Sequence, residues 1–216
     1  MTPEDIGVAL DRYLGDRTMR ALLQAVFQSY AVAHADSRAR FTPRQYENIV
    51  GYEVRCQLED ALGGIAERAT GVSASEERAP GAKWNRTQLR VGPLLLVENA
   101  VETPCALVKS AAFRQTLART NELSLFDNSD EHAGGLLYVA LLHSRSDWRD
   151  PAERQKWRHL PGSAYLAVPD PDVRVYLHEI NLFDRFPDVV VASTPQEWNV
   201  EAHIQYLDRA RKNWAV

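Results

Sequence analysis

Glu98, Glu102 and Lys109 are the residues of this chain whose types could carry out hydrolysis. All three fall in the segment QLRVGPLLLVENAVETPCALVKSAAF, residues 88–113. Alternation along a regular strand places Leu94, Leu96, Glu98, Ala100 and Glu102 on one face. Their spacing is long for two direct ligands of one ion, although a water can bridge it. Magnesium or manganese would complete an octahedral oxygen shell with solvent and a carboxylate from elsewhere, for which Glu53 and Glu47 of a long helix are candidates. Lys109 would then assist the attacking water or stabilise charge on a phosphodiester.

The text around Glu98 also supports a plainer expectation. Restriction-type nucleases carry an acid, then Glu or Asp, one residue and Lys; here Glu98-Asn99-Ala100 has alanine at the lysine position, and no Pro-Asp precedes it. The competing reading satisfies Glu98 at the end of a covered strand, through an arginine or backbone N–H groups, because an unpaired buried carboxylate is costly. Glu102 would favour the positive end of a helix starting at Thr103, with Lys109 inside that helix.

Other constellations lack a complete motif. His178-Glu179 has no histidine four residues later, so the two-histidine helical face of a zinc protease is missing. His178 remains a candidate acid or base, and His132, His143 and His178 could hold zinc if the fold gathered them. Arg154 and His159 have the spacing of a minimal ribonuclease motif on a short helix. Neither glycine pair forms a phosphate loop, and no Gly-x-Ser-x-Gly occurs. Cys56 and Cys105 read as small buried groups and not as metal ligands.

Composition narrows the function classes. With 25 basic and 29 acidic residues mixed along the chain, the formal charge of −4 offers no long basic field for a phosphate backbone. MTPEDIGVALDRYL has acids at once and no basic region ahead of an apolar run, so neither a signal peptide nor a membrane partner is expected, and a cytoplasmic location follows. Five Trp and eight Tyr in a chain without a catalytic motif suggest protein contacts, with Trp148, Trp157, Trp198 and Trp214 as anchors. The leading expectation is a non-enzymatic protein-interaction or regulatory protein without a cofactor, whose partner is another protein. The alternative is the metal-dependent phosphodiesterase or nuclease, with nucleic acid as its partner.

These groups need elements to position them. Thr2-Pro3, Thr42-Pro43, Thr103-Pro104 and Thr194-Pro195 read as helix starts, because threonine caps orphan N–H groups and proline fits the first helical position. Residues 3–14 and a second helix ending before ADSRAR form an expected hairpin. A long third helix runs from Pro43 to about Arg68, and a last one from Pro195 to about Asn213. Strands are expected near 86–91, 93–101, 135–143, 163–168 and 173–180, with a tight reversal at VPDPD and a possible sixth strand at 188–192. This is an α+β fold: N-terminal helices on a mixed central sheet of about five strands, then a C-terminal helix. The organisation is 1–69 helical and 70–83 a flexible loop. Residues 84–216 form an α+β region in one domain with the helices.

Overall fold

Thr2 and Thr42 begin the two long helices as their chemistry dictates. The Thr2 hydroxyl accepts from the Asp5 amide at 3.2 Å while the Asp5 carboxylate accepts from the Thr2 amide at 2.7 Å. At the second start Gln45 Oε1 accepts from the Thr42 amide at 3.1 Å. Helix α1 spans Pro3–Arg40 and α2 spans Pro43–Arg68 in a computed structural model. It describes residues 2–78, 85–104, 106–109, 111–126, 136–145, 156–196, 198, 200–201, 203–205 and 207–208.

Gly15 interrupts α1 with φ 60° and ψ 165°, a conformation that suits glycine. The first helix therefore ends at Gly15 as expected. The second corrects the sequence reading, because it continues through ADSRAR to Arg40. Ala33, His34 and Ser37 are buried there, so packing keeps a polar stretch helical.

Six strands form one sheet in the order β1-β2-β3-β4-β5-β6: Val72–Arg78, Asn85–Val91, Leu94–Val101, Leu137–Arg145, Pro161–Pro169 and Tyr176–Asn181. Neighbours are antiparallel except β3 and β4, which run parallel and are joined by a crossover containing α3 (Ala112–Phe126). Short helices α4 (Leu182–Arg185) and α5 (Pro187–Ser193) follow β6. Residues 200–201, 203–205 and 207–208 are helical within the expected C-terminal helix. The α+β reading holds, with six strands instead of about five.

Three local expectations give way to tertiary pairing. The flexible loop expected at 70–83 is β1 over Val72–Arg78, paired through seven positions with β2. Its exposed edge carries Glu76, Glu77 and Arg78, charges that suit an edge strand. DVVVA is helix α5 and not a sixth strand: Pro187 takes the first helical position, and Val189 and Val190 are buried in the main core. Thr103 starts no helix. Residues 106–109 are extended or irregular, fastened by Tyr176, whose hydroxyl accepts from the Val108 amide at 3.0 Å and donates to the Ala106 carbonyl at 3.1 Å. Lys109 therefore precedes α3.

The reversals are chemically specified. Gly92, with φ 57°, is the first of two residues joining β2 to β3, where a II′ hairpin requires positive φ. A Cβ there would stand 2.7 Å from the Tyr13 ring, so the glycine also admits α1. At VPDPD, Asp170 Oδ1 accepts from the Arg174 and Val175 amides.

Helices α1, α2, α4 and α5 cover one sheet face, where Leu94, Leu96, Val139, Leu141 and Leu166 join Leu22, Leu23, Leu58 and Leu62 in the core. On the opposite face Val97, Tyr138, Leu142 and Tyr165 meet Ala118 of α3. Alternation thus assigns Glu98 to the α1–α2 side and Asn99 to the α3 side. Among the described residues no helix is long and apolar enough to cross a membrane.

Candidate functional site at the ends of the parallel strands

Parallel pairing brings the C-terminal ends of β3 and β4 to the same side of the sheet. The register sets Glu98 beside Leu141 and Ala100 beside His143. Glu98 and His143 share the face beneath α1 and α2, and both are buried, at 2% and 1% exposure. Glu98 Oε1 lies 3.0 Å from His143 Nε2, and His143 Nδ1 lies 3.0 Å from the Tyr30 hydroxyl of α1. An ionised carboxylate only accepts, so Nε2 carries the proton; with the imidazole neutral, Nδ1 accepts from Tyr30.

Burial alone would raise the Glu98 pKa. The His143 hydrogen bond, the electrostatic attraction of that side chain and the charges of Arg86 and Arg55 outweigh it and leave the carboxyl below its ordinary value. Arg86 Nη1 lies 3.8 Å from Glu98 Oε2 and donates to the Glu98 carbonyl at 3.2 Å. Burial lowers the Arg86 pKa while the charge of Glu98 opposes that fall. Even so, Oε2 has no hydrogen-bond donor.

A second buried pair lies beside the first. His34, one helical turn beyond Tyr30, stacks with it at 6.3 Å between ring centroids, and its Nδ1 lies 2.5 Å from the Tyr46 hydroxyl of α2. Tyr46 donates to Nδ1 in the tautomer that leaves Nε2 as the ring's donor, and Nε2 is buried without a hydrogen-bond partner. Burial, reinforced by Arg38, Arg145, Arg158 and His159, pushes the His34 pKa down to about 3. Arg158 and Arg38 also lie over the Tyr46 ring, at 4.6 and 5.8 Å from its centroid.

Beside Tyr30 and His143 opens a cavity of about 350 Å³, lined also by Gly51, Val54, Ala100, Val101, Glu102 and Arg145. Gly51 lets the Arg145 guanidinium lie against α2, where a Cβ would collide with it. Arg145 and Arg38 have no carboxylate partner among the described residues, whereas Arg158 pairs with Glu47 and Arg40 with Glu53. The cavity wall itself carries one guanidinium, Arg145, and one carboxylate, Glu102.

The sequence candidates distribute differently from the metal-centre expectation. Glu98 reaches His143 and Arg86. Glu102 is held by Lys109 at 2.6 Å, with both side chains more than three-quarters exposed, and Glu53 is held by Arg40 at 3.2 Å. His178 lies on β6, three strands from β3, or roughly 14 Å across the sheet. There its ring packs on Gly7, 2.9 Å from where a Cβ would stand. Among the described residues no three His, Cys, Asp or Glu side chains are placed to hold a metal ion. Trp157 and Trp198 are buried in the core, 5.8 Å apart between ring centroids. Trp148, Trp214, His132, Arg154 and Cys105 lie outside the described residues. Cys56 is a free, half-buried thiol.

Tyr30, His34, Tyr46, Arg38 and Arg145 were not singled out by sequence reasoning. Alternation along LYVALLHSR offered one signal, since it puts His143 and Arg145 on one face; Tyr30 and His34, four apart on a helix, offered another. No protein-family model, curated protein or solved structure matches the chain.

Proposed function

We propose that the chain is a non-enzymatic regulatory or protein-interaction protein, and that the cavity at the ends of β3 and β4 receives an acidic group of its partner. The observation that carries this reading is the charge imbalance there. Arg145 on the cavity wall lacks a carboxylate partner among the described residues, while Glu102 on the same wall is held by Lys109 and Glu98 beneath it is engaged by His143 and Arg86. Charge-assisted hydrogen bonds to a guanidinium are among the stronger polar contacts. The buried chain Glu98–His143–Tyr30 supports the reading by holding the cavity wall in one geometry. The two described tryptophans lie inside the core, so the reading rests on an arginine and not on an aromatic patch.

Calorimetric titration with a Glu-rich hexapeptide and a Lys-rich control tests it. Saturable binding of the acidic peptide alone is expected, weakened about ten-fold by Arg145→Ala. Gly51→Ala should weaken it as well, by displacing the guanidinium while improving helix propensity. Equal affinity of wild type and both variants would remove the reading.

The second reading is a magnesium- or manganese-dependent phosphodiesterase or nuclease using Glu98, a second carboxylate and Lys109. One observation favours it: Glu98 Oε2 is buried without a donor, as a carboxylate awaiting a cation would be. Glu102 or Glu53 would have to leave Lys109 or Arg40 to join it. Manganese titration followed by electron paramagnetic resonance separates the two, because stoichiometric binding lost in Glu98→Gln is expected only of the enzyme.

A further inference from the structure

We infer that the chain has a second ligand site, for a small soluble phosphomonoester, in a cavity between the C-terminal end of α2 and the part of α1 that follows Gly15. This cavity shares no lining residue with the one at the ends of β3 and β4. The inference therefore stands independently of the partner reading above.

The charge comes from both helices. Arg17 of α1 and Arg68 of α2 line this one cavity, of about 360 Å³, and no carboxylate lines it among the described residues. Neither guanidinium has a hydrogen bond or ion pair among those residues. Asp16, next to Arg17 in the chain, is taken by Arg185 at 2.8 Å. The Arg68 guanidinium lies back along its own helix, with Nη2 3.4 Å from where a Cβ on Gly64 would stand, so Gly64 leaves room for it there. A phosphomonoester carries nearly two negative charges at neutral pH and balances two such cations. A carboxylate or a phosphodiester, with one charge, balances half of them.

The donors agree with the charge. The hydroxyls of Thr18 and Thr70 border the same space and make no hydrogen bond among the described residues. Two guanidinium forks and two hydroxyls are more donors than the two oxygens of a carboxylate can serve well. A phosphoryl group presents three oxygens in a tetrahedral array and makes charge-assisted bonds with each fork.

The rest of the wall sets the organic part of the ligand. It is made by Ala21, Ile65 and Ala69. Ile65 belongs to the main core and Ala21 packs against that core, so this side is apolar and fixed in place. The volume is near the lower end for ligand cavities, which suits a short hydrocarbon portion and not a polymer.

Calorimetry with the full chain at neutral pH compares n-butyl phosphate, diethyl phosphate, butyrate and inorganic phosphate; sedimentation tests vesicles containing phosphatidic acid. n-Butyl phosphate is expected to bind at least about ten-fold tighter than each of the other three small anions. Arg17→Gln and Arg68→Gln should each weaken it about ten-fold, and both side chains are exposed, so the fold does not depend on them. Arg12→Gln, which removes an exposed cation of α1 outside the cavity, should leave the affinity unchanged. Absence of binding, or butyrate or diethyl phosphate binding as tightly as the monoester, would overturn the inference. Inorganic phosphate matching the butyl ester would overturn the organic ligand and identify a free-phosphate site. An equal loss in Arg12→Gln would overturn the site in favour of general attraction to surface charge. Vesicle binding that requires Arg17 and Arg68 would overturn the soluble ligand in favour of a lipid headgroup.

Discussion

Burial and its cationic neighbours hold His34 neutral, and that makes it the residue through which mild acid first reaches the fold. Its folded pKa of about 3 lies below the ordinary 6.5, so the unfolded chain binds a proton there that the folded chain refuses. The resulting stability is fully present above pH 6.5 and is lost as pH falls toward 3; such a shift has an upper bound of about 5 kcal/mol. Glu98, whose pKa is depressed, contributes stability above its ordinary 4.5 and loses it only below that value. Urea midpoints measured between pH 7.5 and 4.5 should therefore fall in the wild type and fall much less in His34→Gln. Identical slopes would show that His34 is not the titrating group. In the sequence His34 is one polar residue near the C-terminal end of an apolar helical stripe, and of its four neighbours only Arg38, one helical turn on, is local.

At the scale of elements, one side chain replaces a piece of the sheet. The antiparallel ladder between β4 and β5 begins at Ala140 and Ala167, leaving Tyr138 and Pro169 without mutual backbone bonds. Asn121 of α3 fills the gap: its Oδ1 accepts from the Tyr138 amide at 2.6 Å, and its Nδ2 donates to the Tyr138 carbonyl at 3.3 Å and the Pro169 carbonyl at 2.8 Å. Asn121 is fully buried, so Asn121→Ala should cost about 2–4 kcal/mol in urea unfolding, and Asn121→Asp no less, since it substitutes an acceptor for the donor. A loss under 1 kcal/mol would mean that water makes the bonds instead. Helix starts at Thr2 and Thr42 were legible because their capping partners sit three residues away. DVVVA was not, because its β-branched residues describe strand propensity while burial beside α1 decides its state.

Across the whole molecule, protection should fall from the centre of the sheet to its edges. Strands β4 and β5 are buried along nearly their whole length, whereas β1 is exposed except at Val72 and pairs on one side only. Amide exchange followed by NMR should find Val139–Leu142 and Ala164–Val168 slowest and Ser73–Glu77 fastest among the strands. Protection of β1 equal to that of β4 would reveal a partner covering its edge, as when a second chain adds a strand. The six strands lie in the sheet in the order in which they follow one another along the chain, and the crossover through α3 sets β3 and β4 parallel.

Local chemistry determined, from the sequence alone, the capped starts of the two long helices, most strand spans and the α+β class. It also placed Glu98 on one face of a covered strand, because caps depend on neighbours a few residues away and alternation fixes the side of a strand. Only the tertiary structure decided what Glu98 meets. His143 is 45 residues away, and Tyr30 lies 113 residues from His143. Partners at such separations are chosen by how α1, α2 and the sheet pack, since the free energy of burial depends on area and not on sequence position. The same packing turned the carboxylate expected to face a metal toward an imidazole, and left Arg145 and Arg38 without a carboxylate partner among the described residues.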